Sequence, residues 1–151
     1  MAATAEGVCA LSFGERGAES LPETGAAPAA HPTMLDAWID AVHAHIDDGT
    51  ALPSLPLHLQ GTAFQQTVWQ ALRDIPAGQT RSYSAIAAAV GAPRAMRAVG
   101  SACAANRVAV LVPCHRVLRG DGGLGGFRWG AAIKQALLAA EGQADRHGAY
   151  T

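Results

Sequence analysis

Apolar residues recur at helical spacing in three stretches of the chain. Leu35, Trp38, Ile39, Val42 and Ile46 share one face, with Thr33 available as N-cap and Asp47-Asp48-Gly49 as the stop, which predicts an amphipathic helix. Phe64, Val68, Leu72 and Ile75 repeat the spacing as far as Ile75-Pro76-Ala77-Gly78. Ile133, Leu137 and Leu138 mark a last helix ending at Glu141-Gly142, the glycine serving as the residue after the cap. Two apolar runs read as strands instead. One covers Val8 to Phe13 and closes in the turn Gly14-Glu15-Arg16-Gly17; the other, Val108-Ala-Val-Leu-Val112, is β-branched and buried, and Pro113 ends it by removing a ladder donor.

Between these lie the breaks. Leu21 to Pro32 is rich in Ala, Gly and Pro and predicts a flexible connection, while Pro53 and Pro56 mark a linker with a boundary near residue 57. Gln143 to Thr151 is expected to be a disordered tail. From Ser82 to Asn106 a short alanine-rich helix, a Gly91-Ala92-Pro93 turn and a second helix have the outline of a helix-turn-helix. That second helix offers little to read base edges: Ala95, Ala98, Gly100 and Ala102 are small, and only Arg94 and Arg97 are long. Such a face suits close approach to a narrow groove with one long side chain entering the base stack. Tight packing in a core explains the small residues equally well.

A chain of 151 residues, half of them apolar, buries one core and part of a second lobe. No apolar run approaches bilayer length, and the start lacks the basic and long apolar regions of an export signal, so no membrane association and a cytoplasmic location are expected. Cys9, Cys103 and Cys114 are an odd number without C-x-x-C spacing, which argues against a disulfide framework or a zinc site. The charge is uneven: residues 1–60 hold eight acids and one base, residues 61–151 four acids and ten bases. A basic, arginine-rich half fits a nucleic-acid surface as well as it fits a plain preference for arginine.

The chemistry centres on Pro113-Cys114-His115-Arg116. A thiol reacts as the thiolate, which nearby positive charge stabilises, so His115 and Arg116 are apt neighbours for Cys114. Along an extended segment successive side chains diverge, so a bridging water is the natural link from His115 to the sulfur. Glu141, an acid in a helix's last turn, is a candidate to orient the imidazole. His43 and His45, two apart on a helix, point away from each other; they are read as solvated and given no role. Gly120 to Gly130 holds six glycines in eleven residues, letting backbone approach a ligand, and lacks a phosphate-loop pattern, which excludes nucleoside triphosphate binding.

Together Pro113-Cys114-His115-Arg116-Val117, the helix pair ending in Asn106, the glycine loop and Glu141 resemble the O6-alkylguanine-DNA alkyltransferases, and most of all the C-terminal repair domain of the bacterial Ada type. Gly61-Thr-Ala-Phe-Gln-Gln-Thr-Val-Trp-Gln-Ala-Leu, Met96-Arg-Ala-Val-Gly-Ser-Ala-Cys-Ala-Ala-Asn and Arg119-Gly-Asp-Gly-Gly-Leu-Gly-Gly-Phe-Arg-Trp-Gly extend the resemblance from about Leu55 to Gly142. It implies an α+β fold: a shortened N-terminal ribonuclease-H-like lobe over residues 1–56, then a mainly helical, winged-helix-like domain over 57–142 that carries DNA binding and the alkyl acceptor. It implies a single-turnover, self-inactivating transferase, working without metal or cofactor and as a monomer on double-stranded DNA containing O6-alkylguanine, and on O4-methylthymine.

By position, Cys114 resembles the acceptor, His115 its water-linked base, Glu141 the carboxylate orienting that base, Asn106 the hinge of the active-site turn and Tyr83 the hydroxyl beside the flipped base. Arg97 resembles the residue that fills the vacated place in the stack, with Arg94, Ala98 and Gly100 against the DNA. Pro113, Val117, Phe127 and Arg128 correspond to the lesion pocket; Phe127 and Arg128 stand where many relatives have tyrosine and serine, a departure that bears on bulky adducts rather than methyl. The metal-bearing sensor and regulatory segment of full Ada proteins have no counterpart, so repair without a transcriptional switch is expected. Alkyltransferase-like proteins, which bind alkylated DNA without repairing it, replace the acceptor cysteine, and Cys114 is present. A helix-turn-helix regulator would need a polar second helix, and a cysteine hydrolase would turn over.

Overall fold

The computed structural model describes residues 1–13 and 32–144. Strands β1 (Ala2–Thr4) and β2 (Gly7–Ala10) form an antiparallel hairpin where the sequence predicts a single strand over Val8 to Phe13. The Ala-Ala-Thr of β1 is too short and too weakly apolar to register as a pattern. The turn expected at Gly14-Glu15-Arg16-Gly17 and the connection from Leu21 up to residue 31 lie outside the described residues. Beyond the hairpin, Val8 N–H donates to Pro56 O (2.9 Å) and His58 N–H to Val8 O (2.8 Å), while Leu11 exchanges backbone bonds with Arg107 and Ala109. The N-terminal segment is thereby laced to the chain on both sides of α2, and its edge is covered.

Helix α1 (Pro32–Asp48) starts at a proline, which suits a first helical position, so Thr33 lies inside the helix and not before it as its cap. The expected stop holds: Gly49, at φ 75°, bonds back to His45 O (2.9 Å). Helix α2 (Ala63–Arg73) opens with a capping box, Gln65 N–H donating to Thr62 Oγ1 (3.1 Å) and Thr62 N–H to Gln65 Oε1 (2.9 Å), and buries Val68, Trp69 and Leu72. Ile75 falls past the helix end and is buried in the following turn. Helices α3 (Tyr83–Ala89) and α4 (Met96–Ala104) are the expected pair, the first capped by Ser82. Helix α4 buries Val99, Ala102 and Cys103 and exposes Arg97 and Ala98, so its small residues serve packing on one side and leave an open face on the other. Trp69 Nε1–H donates to Ala102 O (2.8 Å), locking α2 to α4.

Leu72, Val68, Val99, Val112 and Leu137 are almost completely withdrawn from water, each contributing about 1.5–3 kcal/mol relative to exposure. Around this core two-residue strands β3 (Arg81–Ser82) and β4 (Val117–Leu118) pair in parallel. Helix α5 (Ala131–Ala144) packs along α1 and passes through Gly142, which is therefore interior and not the terminating residue; a helical glycine weakens a helix by only about 1 kcal/mol and tertiary contacts override it. Of the expected tail, residues 143 and 144 are helical and 145–151 lie outside the described residues. Among the described residues no helix is long and apolar enough to cross a membrane.

Candidate active site

The segment Val108 to Val112 is not the strand its β-branched residues predict. Asn106 takes hold of both ends: its Oδ1 accepts from Val108 N–H (2.9 Å) and its Nδ2 donates to Val112 O (2.9 Å). In between, Val112 N–H reaches Val108 O (3.0 Å), Leu111 N–H reaches Ala109 O (2.7 Å) and Val110 is forced to φ 70°. A β-branched residue there stores about 1–3 kcal/mol of strain, which the buried side chains and the Asn106 bonds over-determine. Cys114 follows not at a strand's end but at the start of a 3-10 turn, Cys114–Arg116.

That turn separates the three side chains. Cys114 Sγ accepts from Asn106 Nδ2 (3.3 Å) and lines a cleft of about 710 Å³ together with Tyr83, Arg97, Gly100, Phe127 and Arg128. The residue is 5 % exposed, so the sulfur is sheltered yet open to the cleft. His115 turns the other way into the core, where its Nε2 lies 2.6 Å from Glu141 Oε1. Arg116 does not face the thiol as its position in the sequence suggests. Its Nε and Nη2 clamp the two Glu141 oxygens at 2.9 and 2.8 Å, and its Nη1 donates to Ile75 O at 2.7 Å.

His45, read from sequence as solvated, is 1 % exposed and completes this cluster with Nε2 3.0 Å from Glu141 Oε1. Its neighbour His43 is exposed as expected. The signal for His45 was present, since Trp38, Val42 and His45 follow one helical stripe. Lys134 was missed in the same way: it shares a stripe with Leu138 and Glu141, is fully buried, and its ammonium donates to the carbonyls of Val117 (2.7 Å), Gly126 (3.2 Å) and Leu124. One lysine thus ties the glycine loop to β4.

The electrostatics follow from these positions. Burial pushes the Cys114 thiol above its ordinary value, against the opposing pull of Asn106 and Lys134, so the sulfur is stored as a thiol. Burial likewise holds His115 below its ordinary 6.5, opposed by Glu141, so the imidazole rests neutral. For Glu141 burial acts upward, but the hydrogen bonds from His115, His45 and Arg116 prevail and keep it ionised far below the usual carboxylate range. With its Nε2 hydrogen committed to Glu141, His115 presents Nδ1 as a lone pair, and that atom is buried without a partner among the described residues. An imidazole with an unshared ring nitrogen of this kind can act as a general base. Tyr83, its hydroxyl 3.5 Å from Gly126 O, is pushed up to about 12 by burial and then by the two thiols, and so remains a donor.

The other predicted residues are spread around this centre. Arg94, Arg97 and Ala98 are exposed on and before α4, and a Cβ at Gly100 would meet open space. Gly125, at φ 71°, sits so close to Tyr83 that a Cβ would fall 3.0 Å from the phenol oxygen. Phe127 packs edge-on against Trp129, whose ring lies under Arg128. Val117 is fully buried, and Pro113 lines a separate crevice with His45 and Arg116. Among the described residues no cluster of three or more His, Cys, Asp or Glu side chains could hold a metal ion.

Comparison with known proteins agrees with this geometry. Residues 63–143 match the family model described as 6-O-methylguanine DNA methyltransferase, DNA binding domain. The chain is 45 % identical to the bifunctional transcriptional activator/DNA repair enzyme Ada of Escherichia coli over 95 % of its own length, but spans only 42 % of that protein. It is 44 % identical to the methylated-DNA–protein-cysteine methyltransferase of Mycobacterium tuberculosis, over 73 % of this chain and 67 % of that one. The crystal structure of the Mycobacterium tuberculosis OGT in complex with DNA superposes with a TM-score of 0.67 at 45 % identity, covering 70 % of this chain and 65 % of the other. A mixed fold of helices and small sheets like that of the OGT structures, with the matched segment filling more than half of the chain, establishes that this protein belongs to the 6-O-methylguanine DNA methyltransferase family.

Proposed function

We propose that the protein repairs alkylated DNA by moving the alkyl group from O6 of guanine, and from O4 of thymine, onto Cys114. The observation that carries this reading is the cleft itself, which a buried thiol lines together with Tyr83 and Arg97, next in sequence to an imidazole paired with a buried carboxylate. The thiol proton passes through solvent to His115 Nδ1. The sulfur lone pair forms a new S–C bond to the alkyl carbon as the C–O6 bond breaks, and the released base takes up a proton, for which the Tyr83 hydroxyl is a nearby donor. Nucleophile, base and acceptor all belong to the chain, so the transfer needs no cofactor. Because the thioether is stable, each molecule reacts once. The alternative, a protein that only recognises alkylated DNA, leaves Cys114 and its base without a purpose.

In the same reading residues 1–56 are a shortened ribonuclease-H-like lobe and residues 57–142 a winged-helix-like domain that docks α4 in the minor groove. The exposed Arg97 enters the stack as the lesion swings out, while the open faces of Ala98 and Gly100 admit the sugar-phosphate backbone. Incubation with duplex DNA bearing O6-methylguanine should add one methyl per protein, found on the Cys114 peptide by mass spectrometry, and then stop. An unmodified Cys114 peptide, or repeated turnover, would sink the proposal.

Arg97→Ala should slow repair of duplex DNA roughly 10- to 100-fold, because extrusion costs a few kcal/mol and the inserted side chain recovers part of it. Reaction with free O6-benzylguanine, which needs no extrusion, should change far less. Equal losses on both substrates would contradict an intercalating role.

A further inference from the structure

His45 lies upstream of the segment that matches the family model, yet it is built into the carboxylate cluster. Its Nε2 faces Glu141 Oε1 at 3.0 Å and its Nδ1 faces Thr50 O at 2.8 Å. A carbonyl and a carboxylate only accept hydrogen bonds, so each contact is made by a ring nitrogen that carries a hydrogen. The same Oε1 also takes the His115 Nε2–H at 2.6 Å and the Arg116 Nη2–H at 2.8 Å. Three donors therefore compete for one oxygen, and whatever His45 draws from it is withheld from His115.

We infer that His45 is a positioning residue for the transfer reaction: it anchors Glu141 Oε1 and tempers the carboxylate's hold on His115, leaving the His115 Nδ1 free to accept the Cys114 proton. The inference rests on the proposed transfer to Cys114 for its purpose, but its geometry stands on the cluster alone. Burial comes first among the causes that hold His115 low, with repulsion from Arg116 and His45 adding to it. The groups around His45 are Glu141 from α5, His115 and Arg116 from the 3-10 turn, Arg73 across the adjoining crevice and Asp48 on its own helix. Asp48 receives the N–H and hydroxyl of Thr50, so the residue whose carbonyl His45 grips is itself held in place. The first segment of the chain thereby supplies a side chain to a site whose nucleophile, base and carboxylate lie in the later part.

Two variants separate positioning from packing. His45→Gln keeps a neutral donor for Oε1, and His45→Phe keeps the ring's shape without either donor. With ring-15N-labelled histidine, the His115 titration followed by NMR should move to higher pH in both, most in His45→Phe, where proton affinity should rise roughly tenfold, about one pKa unit. The acid limb of methyl transfer to Cys114 should move with it. The neutral-pH rate should fall roughly tenfold in His45→Phe, the scale of one charge-assisted hydrogen bond, and less in His45→Gln. A folded His45→Gln protein whose His115 titrates as in the wild type would overturn the inference. A wild-type protein that leaves Cys114 unmethylated would instead overturn the proposed function, and the NMR titration would still decide the role at Glu141.

Discussion

Cys114→Ser should abolish methyl transfer while leaving affinity for duplex DNA bearing O6-methylguanine within a few-fold of wild type. A serine hydroxyl is far less acidic and less nucleophilic than a thiol, and the neutral imidazole of His115 is too weak a base to ionise it. Loss of a nucleophile typically lowers rate by on the order of 10⁴-fold or more, which for a single-turnover reaction means no detectable product. The exposed face of α4 and Arg97 are untouched by the change, so binding survives and the variant should behave as a lesion trap. Cys103 lines the same cleft and is the obvious substitute nucleophile. Burial and then the charge of a Cys114 thiolate push its thiol up to about 12, whereas Cys114 Sγ accepts a hydrogen bond from Asn106 that opposes its own rise. Cys103 should therefore remain unmodified. Labelled-methyl transfer and fluorescence anisotropy on the same DNA check both halves, and a methyl found on Cys103 would show that the His115–Glu141 pair is dispensable.

The three long helices were legible because each carries a repeating apolar face, and Cys114, His115 and Glu141 stood out because thiol, imidazole and distant acid have no common structural use together. What escaped has a consistent cause: side chains that act over tertiary distance. Val108 to Val112 has the composition of a strand, but Asn106 bonds its first N–H and its last carbonyl and draws it into a turn, and propensity contains no term for that. Arg116 follows the thiol in sequence and spends its charge on a carboxylate 25 residues away. His45 meets Glu141 across 96 residues. Lys134 resembles any solvated helical lysine until three loop carbonyls converge on it. The two-residue strands β3 and β4 are shorter than any period that could announce them.

Glu141→Gln is the change expected to damage stability most. The substitution preserves volume, but whichever way the amide is turned its NH₂ faces at least one donor that Glu141 now satisfies, from Arg116 on one side or from three groups on the other. Arg116 is left buried with its charge unanswered. Breaking one partner of such a buried pair costs about 3–5 kcal/mol, a fall in melting temperature on the order of 10 °C for a chain of this size. The carboxyl of Glu141 is depressed in the folded state, so its contribution is fully present above the ordinary value of 4.5 and is lost as pH falls below it toward the folded value. His115 acts at a higher window: held neutral in the fold, it leaves the unfolded chain as the better proton acceptor below 6.5, so wild-type stability begins to fall there. The melting difference between wild type and Glu141→Gln should accordingly be widest above 4.5 and narrow as the solution becomes more acidic. Methyl transfer should drop by roughly 10- to 100-fold as His115 loses its orientation, within the range that general-base catalysis contributes. Melting curves taken across the acid range test this directly. A constant gap at every pH would mean that Glu141 stabilises the protein by packing and not as a charged hub.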